Sequence, residues 1–137
     1  MAKENVKVHY WAVVAATAAA FVASAVWYVG WGSELAKLSA AYAEAQAPPG
    51  WTLLAELART LVVAYVLARF ASLLGIGDSK SALRFGIWIW VFPAAILSGS
   101  VLHEDYPWRL AAIHAGDWLL KLLVMSLVIG VWAGKRK

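Results

Sequence analysis

Five ionisable side chains stand inside two long apolar stretches of this chain. Glu56 and Arg59 are three residues apart in the first stretch. In the second stretch, His114, Asp117 and Lys121 are separated by three and by four residues. These spacings place each set on one face of an α-helix. Carboxylates, cations and an imidazole so arranged can bind a polar solute, relay a proton or join two helices by ion pairs.

The four charged members of this set sum to zero charge. If both stretches are centred in a bilayer, Arg59 and Asp117 lie at similar depths and are predicted to pair across helices. Glu56 and His114 lie about one turn further out and form a second predicted contact, while Lys121 lies near the centre. A neutral set can stay ionised as a structural clasp. Intramembrane ionisable groups also mark solute or proton pathways, and a proton role would depend on His114, whose unperturbed pKa is about 6.5.

Four aromatic residues in the same stretches could line a cavity beside these charges: Tyr65, Trp88, Trp90 and Trp118. Aromatic faces next to a carboxylate can hold an organic cation. Large aromatics at helical spacing also pack against neighbouring helices, which is the alternative interpretation. The two buried cations of the set would repel a cationic ligand, so an anion or a neutral solute fits at least as well.

No pattern typical of a catalytic or metal site occurs. The chain has no cysteine, and it contains no HExxH metal motif, phosphate-binding Walker loop or GxSxG nucleophile motif. The consecutive residues His103, Glu104 and Asp105 are titratable, but adjacent residues rarely converge on one ion without further ligands. The sequence therefore predicts a protein that is not an enzyme, with no catalytic residue, metal site or cofactor.

Composition requires a membrane around these segments. Of 137 residues, 63% are hydrophobic and 15% are charged, whereas soluble domains are about 25% charged. A spanning helix needs about 20 apolar residues, and four segments qualify, over residues 10–29, 52–74, 85–102 and 108–133. We predict one all-α domain over residues 1–137, an integral-membrane four-helix bundle whose principal surroundings are the lipid bilayer.

The distribution of lysine and arginine predicts the orientation. One side of the predicted bundle receives eight of them: Lys3, Lys7, Arg69, Lys80, Arg84, Lys135, Arg136 and Lys137. The other side receives Lys37 and Arg109, so the positive-inside rule places both termini in the cytoplasm. The net charge of +4 thus reflects topology and not nucleic-acid binding. A secretory signal peptide with a cleavage site at Ala23-Ser24-Ala25 is an alternative for the first segment, but Trp27-Tyr28, just beyond that site, are typical of a retained span.

The connection between the first and second spans is predicted to contain a helix. Apolar residues at helical spacing within residues 34–47 predict a short helix on the outer membrane surface, which either covers the bundle or closes a cavity.

Ala12, Ala16 and Ala20 form a stripe on the first span, and Ala64 and Ala68 repeat the spacing on the second. Such stripes allow close helix contact within one chain or between copies, and we expect a homo-oligomer.

Several short motifs carry a resemblance: Trp27-Tyr28, Leu38-Ser39, the segment Pro107-Trp108-Arg109-Leu110 and the segment Ala115-Gly116-Asp117-Trp118. In these, over about residues 8–132, the chain resembles the bacterial membrane family known as domain of unknown function 1761. The resemblance implies a compact four-span protein of the bacterial inner membrane with no established activity and no assigned catalytic residues.

The buried polar set leads to two functional hypotheses. The first is a small transporter or channel-like protein whose polar cavity lies in the outer half of the membrane, with the solute or proton unknown. The second is a structural or accessory membrane subunit that transports nothing and whose buried charges clasp helices.

Overall fold

The structure is a computed structural model that describes residues 7–44 and 48–135. Within these ranges the chain forms six helices and no strand: α1 (Tyr10–Gly30), α2 (Gly32–Leu38), α3 (Ala40–Ala43), α4 (Gly50–Leu73), α5 (Ser79–His103) and α6 (Trp108–Gly134). Four of them, α1, α4, α5 and α6, are long and apolar enough to cross a membrane. The predicted all-α, four-span architecture is confirmed.

Local sequence explains where two of the long helices begin. Helix α4 starts at Gly50, directly after Pro49, whose fixed φ suits the residue before a helix. Helix α5 starts at Ser79, six residues before the predicted span, because the Asp78 side chain accepts a hydrogen bond of 2.9 Å from the Ser81 amide. The turn between them passes through Gly75 at φ +67, a conformation that glycine adopts without strain. Apolarity alone underestimates a helix that continues into the polar interface.

The first loop contains two short helices where the sequence predicts one. Ser39 has extended backbone angles, φ −148 and ψ 132, and separates α2 from α3. The last residues of the predicted helix, 45–47, lie outside the described residues. Leu35 of α2 is 1% exposed and packs with Leu110 and Ile113 of α6, which holds this loop against the bundle. Its position at the membrane surface remains a prediction.

Helix α6 is the centre of the bundle, because α1, α4 and α5 all pack against it. Helix α4 also packs against α1, and the two small-residue stripes meet there. Ala16, Ala20 and Ala64 are fully buried in one cluster with Met125 of α6. The stripes therefore join two helices of the same chain, which decides between the two packing arrangements that the sequence left open.

Helices α5 and α6 approach closely through glycine. A Cβ added at Gly130 would lie 2.5 Å from the Ala82 Cβ, and one added at Gly86 would lie 2.8 Å from the Ser126 Oγ. These contacts lie near the start of α5 and the end of α6, at the end of the bundle where α1 also begins. We call this the termini end and the opposite one, which carries α2 and α3, the loop end.

Candidate functional site

A cavity of about 560 Å³ lies in the loop-end half of the bundle. It is bordered by α1, α3, α4, α5 and α6. Its walls are partly apolar, with Phe21, Leu53 and Leu97 among the lining residues. All five ionisable residues singled out in the sequence also line it, so the spans that carry them are neighbours around one space.

Four of those residues form a chain of alternating charge. Arg59 Nη2 lies 2.7 Å from Glu56 Oε2. The other oxygen of that carboxylate, Oε1, accepts a hydrogen bond of 2.9 Å from Lys121 Nζ. The same nitrogen lies 3.1 Å from Asp117 Oδ2. Positive and negative groups thus alternate from α4 to α6, and the link between the two helices is the pair Glu56–Lys121.

This pairing differs from the predicted contacts, Arg59 with Asp117 and Glu56 with His114. The predicted contacts join residues whose backbones lie at similar depths in the bilayer. The lysine side chain is long, however, so its charge lies away from the depth of its own backbone. Lys121 therefore reaches Glu56, and Arg59 pairs with Glu56 on its own helix, three residues away. His114 has a different partner.

The aromatic ring of Trp118 lies beside both cations. Lys121 Nζ is 4.4 Å from the ring centroid, and Arg59 Cζ is 5.2 Å from it. Both distances are within the range of a favourable cation–π contact. Trp118 therefore stabilises the two positive charges on the side that the carboxylates do not cover.

Burial differs sharply along the charge chain. Asp117 and Lys121 are each 1% exposed, whereas the side chain of Arg59 is 58% exposed and that of Glu56 is 33% exposed. Ionisable side chains within spans are expected to face the bundle interior and not lipid, yet Arg59 lies at the open side of the cavity. Asp117 Oδ1 has no hydrogen-bond partner among the described residues. A buried carboxylate oxygen without a donor is costly, so a hydrogen-bond donor that reached this atom would be strongly bound.

Two tyrosines that sequence reasoning assigned to other roles complete the wall. The Tyr28 hydroxyl and His114 Nδ1 are 2.6 Å apart. The ring of Tyr42 in α3 stacks on Tyr28, with centroids 6.5 Å apart and an interplanar angle of 7°. Burial raises the pKa of the Tyr42 hydroxyl above its ordinary value. In the sequence, the pair Trp27-Tyr28 indicates only a retained span. Tyr28 is four residues from Ser24 and seven from Phe21, and this spacing places it on the same helical face as these lining residues.

Three of the four aromatic residues predicted to line the cavity do not line it. Tyr65 and Trp88 are exposed, 41% and 69%, on the outside of the bundle. Trp90 donates a hydrogen bond of 2.8 Å from its indole Nε1 to the carbonyl oxygen of Ala115. Its function in the fold is to attach α5 to α6, and of the predicted set only Trp118 lies at the site.

A second tryptophan attaches α1 to the same stretch of α6. Trp27 Nε1 donates a hydrogen bond of 3.0 Å to the Ile113 carbonyl oxygen. A Cβ at Gly116 would lie 2.5 Å from Trp27 Cζ2, so only glycine leaves room for the indole ring. Together with Trp90 on the other side, this contact fixes the position of the α6 turn that carries Asp117.

The arrangement of charged and hydrogen-bonding groups in this cavity can bind a solute. Among residues 7–44 and 48–135, no group of three histidine, aspartate or glutamate side chains could hold a metal ion. The two cations are each paired with a carboxylate, and among the described residues of this set the atom that has no partner is an acceptor oxygen. A neutral solute that carries a hydroxyl or an amide N–H would therefore add no net charge to this cavity.

Of the comparisons of the sequence with known proteins, one identifies the family of the chain. No significant match is found among curated proteins or among solved structures. The family model described as "Protein of unknown function (DUF1761)" matches residues 11–130, which include all four long helices except the first residue of α1 and the last four residues of α6. The four candidate membrane spans, the order of the helices and this match lead to one conclusion: the chain belongs to the DUF1761 family, whose function is unknown.

Proposed function

We propose that this protein is a small transporter or channel-like protein in which the loop-end cavity binds a polar solute on its way across the membrane. The observation that carries the proposal is the Asp117 carboxylate, which is 1% exposed and lines a cavity of about 560 Å³ with one oxygen unpaired. A purely structural site would be expected to pair this atom, because an unpaired buried acceptor lowers stability.

The charge chain supports a solute without net charge. Arg59 and Lys121 share the Glu56 carboxylate, and Lys121 also contacts Asp117. The sequence left an anion or a neutral solute open. Because both cations already have carboxylate partners, a bound anion would have to compete with Glu56 and Asp117, whereas a hydroxyl or amide donor leaves these ion pairs intact.

Transport can be measured in liposomes that contain the purified protein. Proton flux is followed with an internal pH-sensitive dye, and uptake of glycerol, urea and glycine is followed by light scattering. We expect at least one of these fluxes to exceed that of protein-free liposomes. Asp117→Asn is expected to slow it about tenfold or more, since a hydrogen bond to a charged group contributes about 1.5–3 kcal/mol.

Two further variants make this test specific. Asp105→Asn applies the same chemical change in the exposed loop between α5 and α6 and should leave the flux unchanged. Tyr28→Phe removes one hydroxyl from the cavity wall without touching the ion pairs and should slow the flux even if Asp117→Asn impairs folding. Absence of any flux above protein-free liposomes, or equal flux in wild type and both cavity variants, would overturn the proposal.

The second candidate is a structural or accessory subunit that transports nothing, and the Glu56–Lys121 pair between α4 and α6 favours it. In that case the charge chain acts as a clasp. A double-mutant cycle with Glu56→Gln and Lys121→Met should then give a coupling of about 0.6–1.7 kcal/mol in the free energy of unfolding, with no flux in liposomes. Zero coupling would remove the clasp.

We also propose in which membrane the protein lies, how it is oriented there and that it assembles as a homo-oligomer. The lysine and arginine distribution supports an orientation with both termini in the cytoplasm, and the family resemblance supports the bacterial inner membrane. The half-exposed Arg59 at the open side of the cavity supports a homo-oligomer, because a second copy would cover a charge that one bundle leaves uncovered. Protease protection of tagged termini and the molar mass of the protein in detergent would test these two statements.

A further inference from the structure

The cavity at the loop end has an incomplete wall between α4 and α5. Helix α1 packs against α4 and α6, and α5 packs against α6. Between α4 and α5, the described residues form no packing of comparable extent. Leu53 and Arg59 of α4 and Leu97 of α5 nevertheless all line the cavity. The gap between these two helices is therefore an opening of the cavity through the side of the bundle.

The distribution of buried residues along α4 and α5 supports this opening. In α4, all buried residues lie within residues 60–71, and none of residues 50–59, which the structure describes in full, is buried. In α5, all buried residues lie within residues 82–86, and none of residues 87–103, likewise all described, is buried. Both helices are therefore packed most closely at the termini end, and their loop-end halves leave room between them.

The rim of this opening is apolar except for one cation. Leu53 is 48% exposed and Leu97 is 42% exposed, and the side chain of Arg59 is 58% exposed. Glu56 and His114 are less exposed and line the cavity behind this rim. Polar groups are costly in an apolar environment unless they are hydrogen-bonded, whereas apolar chains are stable in lipid. An apolar rim in front of polar groups thus suits a molecule with a polar head and an apolar tail.

The depth of the opening places it within the hydrocarbon of one leaflet. Measured from the middle of each helix at about 1.5 Å per residue, Arg59 lies about 4 Å, Leu97 about 9 Å and Leu53 about 13 Å toward the loop end. Half of the hydrocarbon core of a bilayer is about 15 Å thick. The opening therefore faces acyl chains, and a molecule that passes through it comes from the loop-end leaflet.

The side of the cavity toward water is partly covered. Tyr42 of α3 lines the cavity and stacks on Tyr28, and the buried Leu35 holds α2 against α6. Among the described residues, α2 packs against α1 and α6, so this loop covers the side of α1 and α6 and leaves the side of α4 and α5 open. Entry from lipid is therefore less obstructed than entry from water.

We infer that the loop-end cavity takes the polar head of a membrane amphiphile, which enters from the loop-end leaflet between α4 and α5 while its tail stays in lipid. This inference rests on the proposed binding of a solute without net charge in the same cavity, and it names the class of that solute. The head carries hydroxyl or amide groups and no net charge, because Arg59 and Lys121 already have carboxylate partners. The cavity volume of about 560 Å³ is in the usual range for a small-molecule site.

The test uses the full chain in liposomes of phosphatidylcholine, a lipid whose head has no hydrogen-bond donor. The ligand is a monoacylglycerol with a photoreactive diazirine at the start of its tail, and the labelled residues are located by mass spectrometry. We expect labelling to saturate at one molecule per chain and to lie around the opening. Excess monooleoylglycerol should compete, whereas glycerol, which is the head alone, and oleyl sulfate, which has a charged head, should reduce labelling by less than about twofold.

Matched variants locate the entry. Leu97→Trp narrows the opening and should lower labelling about fivefold or more. Ile96→Trp makes a similar change at the adjacent position of α5, which is 64% exposed, and should change labelling by less than about twofold. If Leu97→Trp impairs folding, Leu53→Trp narrows the opening from α4 and replaces it in the comparison.

The outcomes separate this inference from the proposed function. Glycerol flux without saturable labelling would overturn the inference and leave transport of a polar solute standing. Saturable labelling without any flux would support an amphiphile in the cavity and overturn transport. Labelling spread evenly over the lipid-facing residues, equal labelling of the two α5 variants, or equal competition by oleyl sulfate would overturn the inference. An oligomer whose opening is not labelled would do the same, because a second copy would then fill the gap.

Discussion

The two halves of this bundle bury different kinds of side chain. At the termini end, Ala16, Ala64 and Met125 are fully buried, and two glycines bring α5 against α6. At the loop end, Asp117 and Lys121 are as well buried, but they border an open space of about 560 Å³. Small side chains let helix backbones approach closely, whereas ion pairs and a tryptophan keep them apart. The difference shows how one close-packed half can hold four helices firmly enough for the other half to contain a polar cavity.

The largest effect is expected from removing the buried cation. Lys121→Met leaves Asp117 buried without a positive partner and should lower the free energy of unfolding by about 3–5 kcal/mol. Equilibrium unfolding in mixed micelles, followed by circular dichroism, measures this change. Lys80→Met at an exposed position is the control, and adding Asp117→Leu to Lys121→Met should recover part of the loss. Equal costs for the two lysine variants would mean that the loop-end half does not depend on its ion pairs.

A smaller effect is expected from adding one methyl group at the termini end. Gly130→Ala would place a Cβ 2.5 Å from the Ala82 Cβ, and overpacking of this kind costs about 1–3 kcal/mol. Gly99→Ala is the control, because nothing lies within 4 Å of a Cβ at that position of α5. The control should be neutral or stabilising by up to about 1 kcal/mol. If Gly130→Ala unfolds at the same midpoint as Gly99→Ala, the termini end is less closely packed than described.

The attachment of α5 near the cavity should depend on a single side-chain hydrogen bond. Trp90→Phe removes the indole donor to the Ala115 carbonyl oxygen and is expected to cost about 0.5–1.5 kcal/mol. Trp88→Phe makes the same change on the exposed face of α5 and should have no measurable effect. The difference between the two variants in unfolding free energy isolates the hydrogen bond, and a difference of zero would contradict its role.

The smallest effect is expected at the exposed ion pair of the loop end. Lys37 Nζ lies 2.8 Å from Glu34 Oε1, and this hydrogen bond lowers the pKa of Glu34 below its ordinary value of 4.5. A lowered pKa means that the stabilisation is present above pH 4.5 and is lost as the pH falls through the lowered value. Glu34→Gln should therefore be slightly less stable than wild type near neutral pH and equal to it in strong acid. Thermal unfolding at both pH values checks this, and an effect as large as that of Lys121→Met would contradict the contrast between exposed and buried pairs.

The sequence predicts the fold well because a membrane span is recognised from the length and the apolarity of one segment of the chain. It also brings Glu56, Arg59, His114, Asp117 and Lys121 to one place, since each charge excluded from lipid must face the interior. The contacts within that set were not predictable, because helix depth locates a Cα and not the end of a lysine side chain. The position of Lys121 near the centre did not reveal that its nitrogen reaches Glu56 on another helix.

The positions of the aromatic side chains could not be predicted from the sequence for a similar reason. Trp90 and Trp118 both lie within apolar spans, yet one attaches a helix and the other lines the cavity, because the direction of each ring depends on packing that only the folded bundle supplies. Tyr42 could not have been placed either, since the break at Ser39 that positions α3 has no strong signal such as proline or glycine. Tyr28 could have been found from its helical spacing relative to Ser24.

The central position of α6 has a consequence for how the chain is built. Helices α1 and α4 can meet through their alanine faces as soon as both are in the membrane. Helix α5 has its principal partner only in α6, which is synthesised after it and joined to it by residues 104–107. We therefore expect α5 to lack its principal contacts until α6 is synthesised, and the cavity, which both helices border, to form only after α6 is inserted.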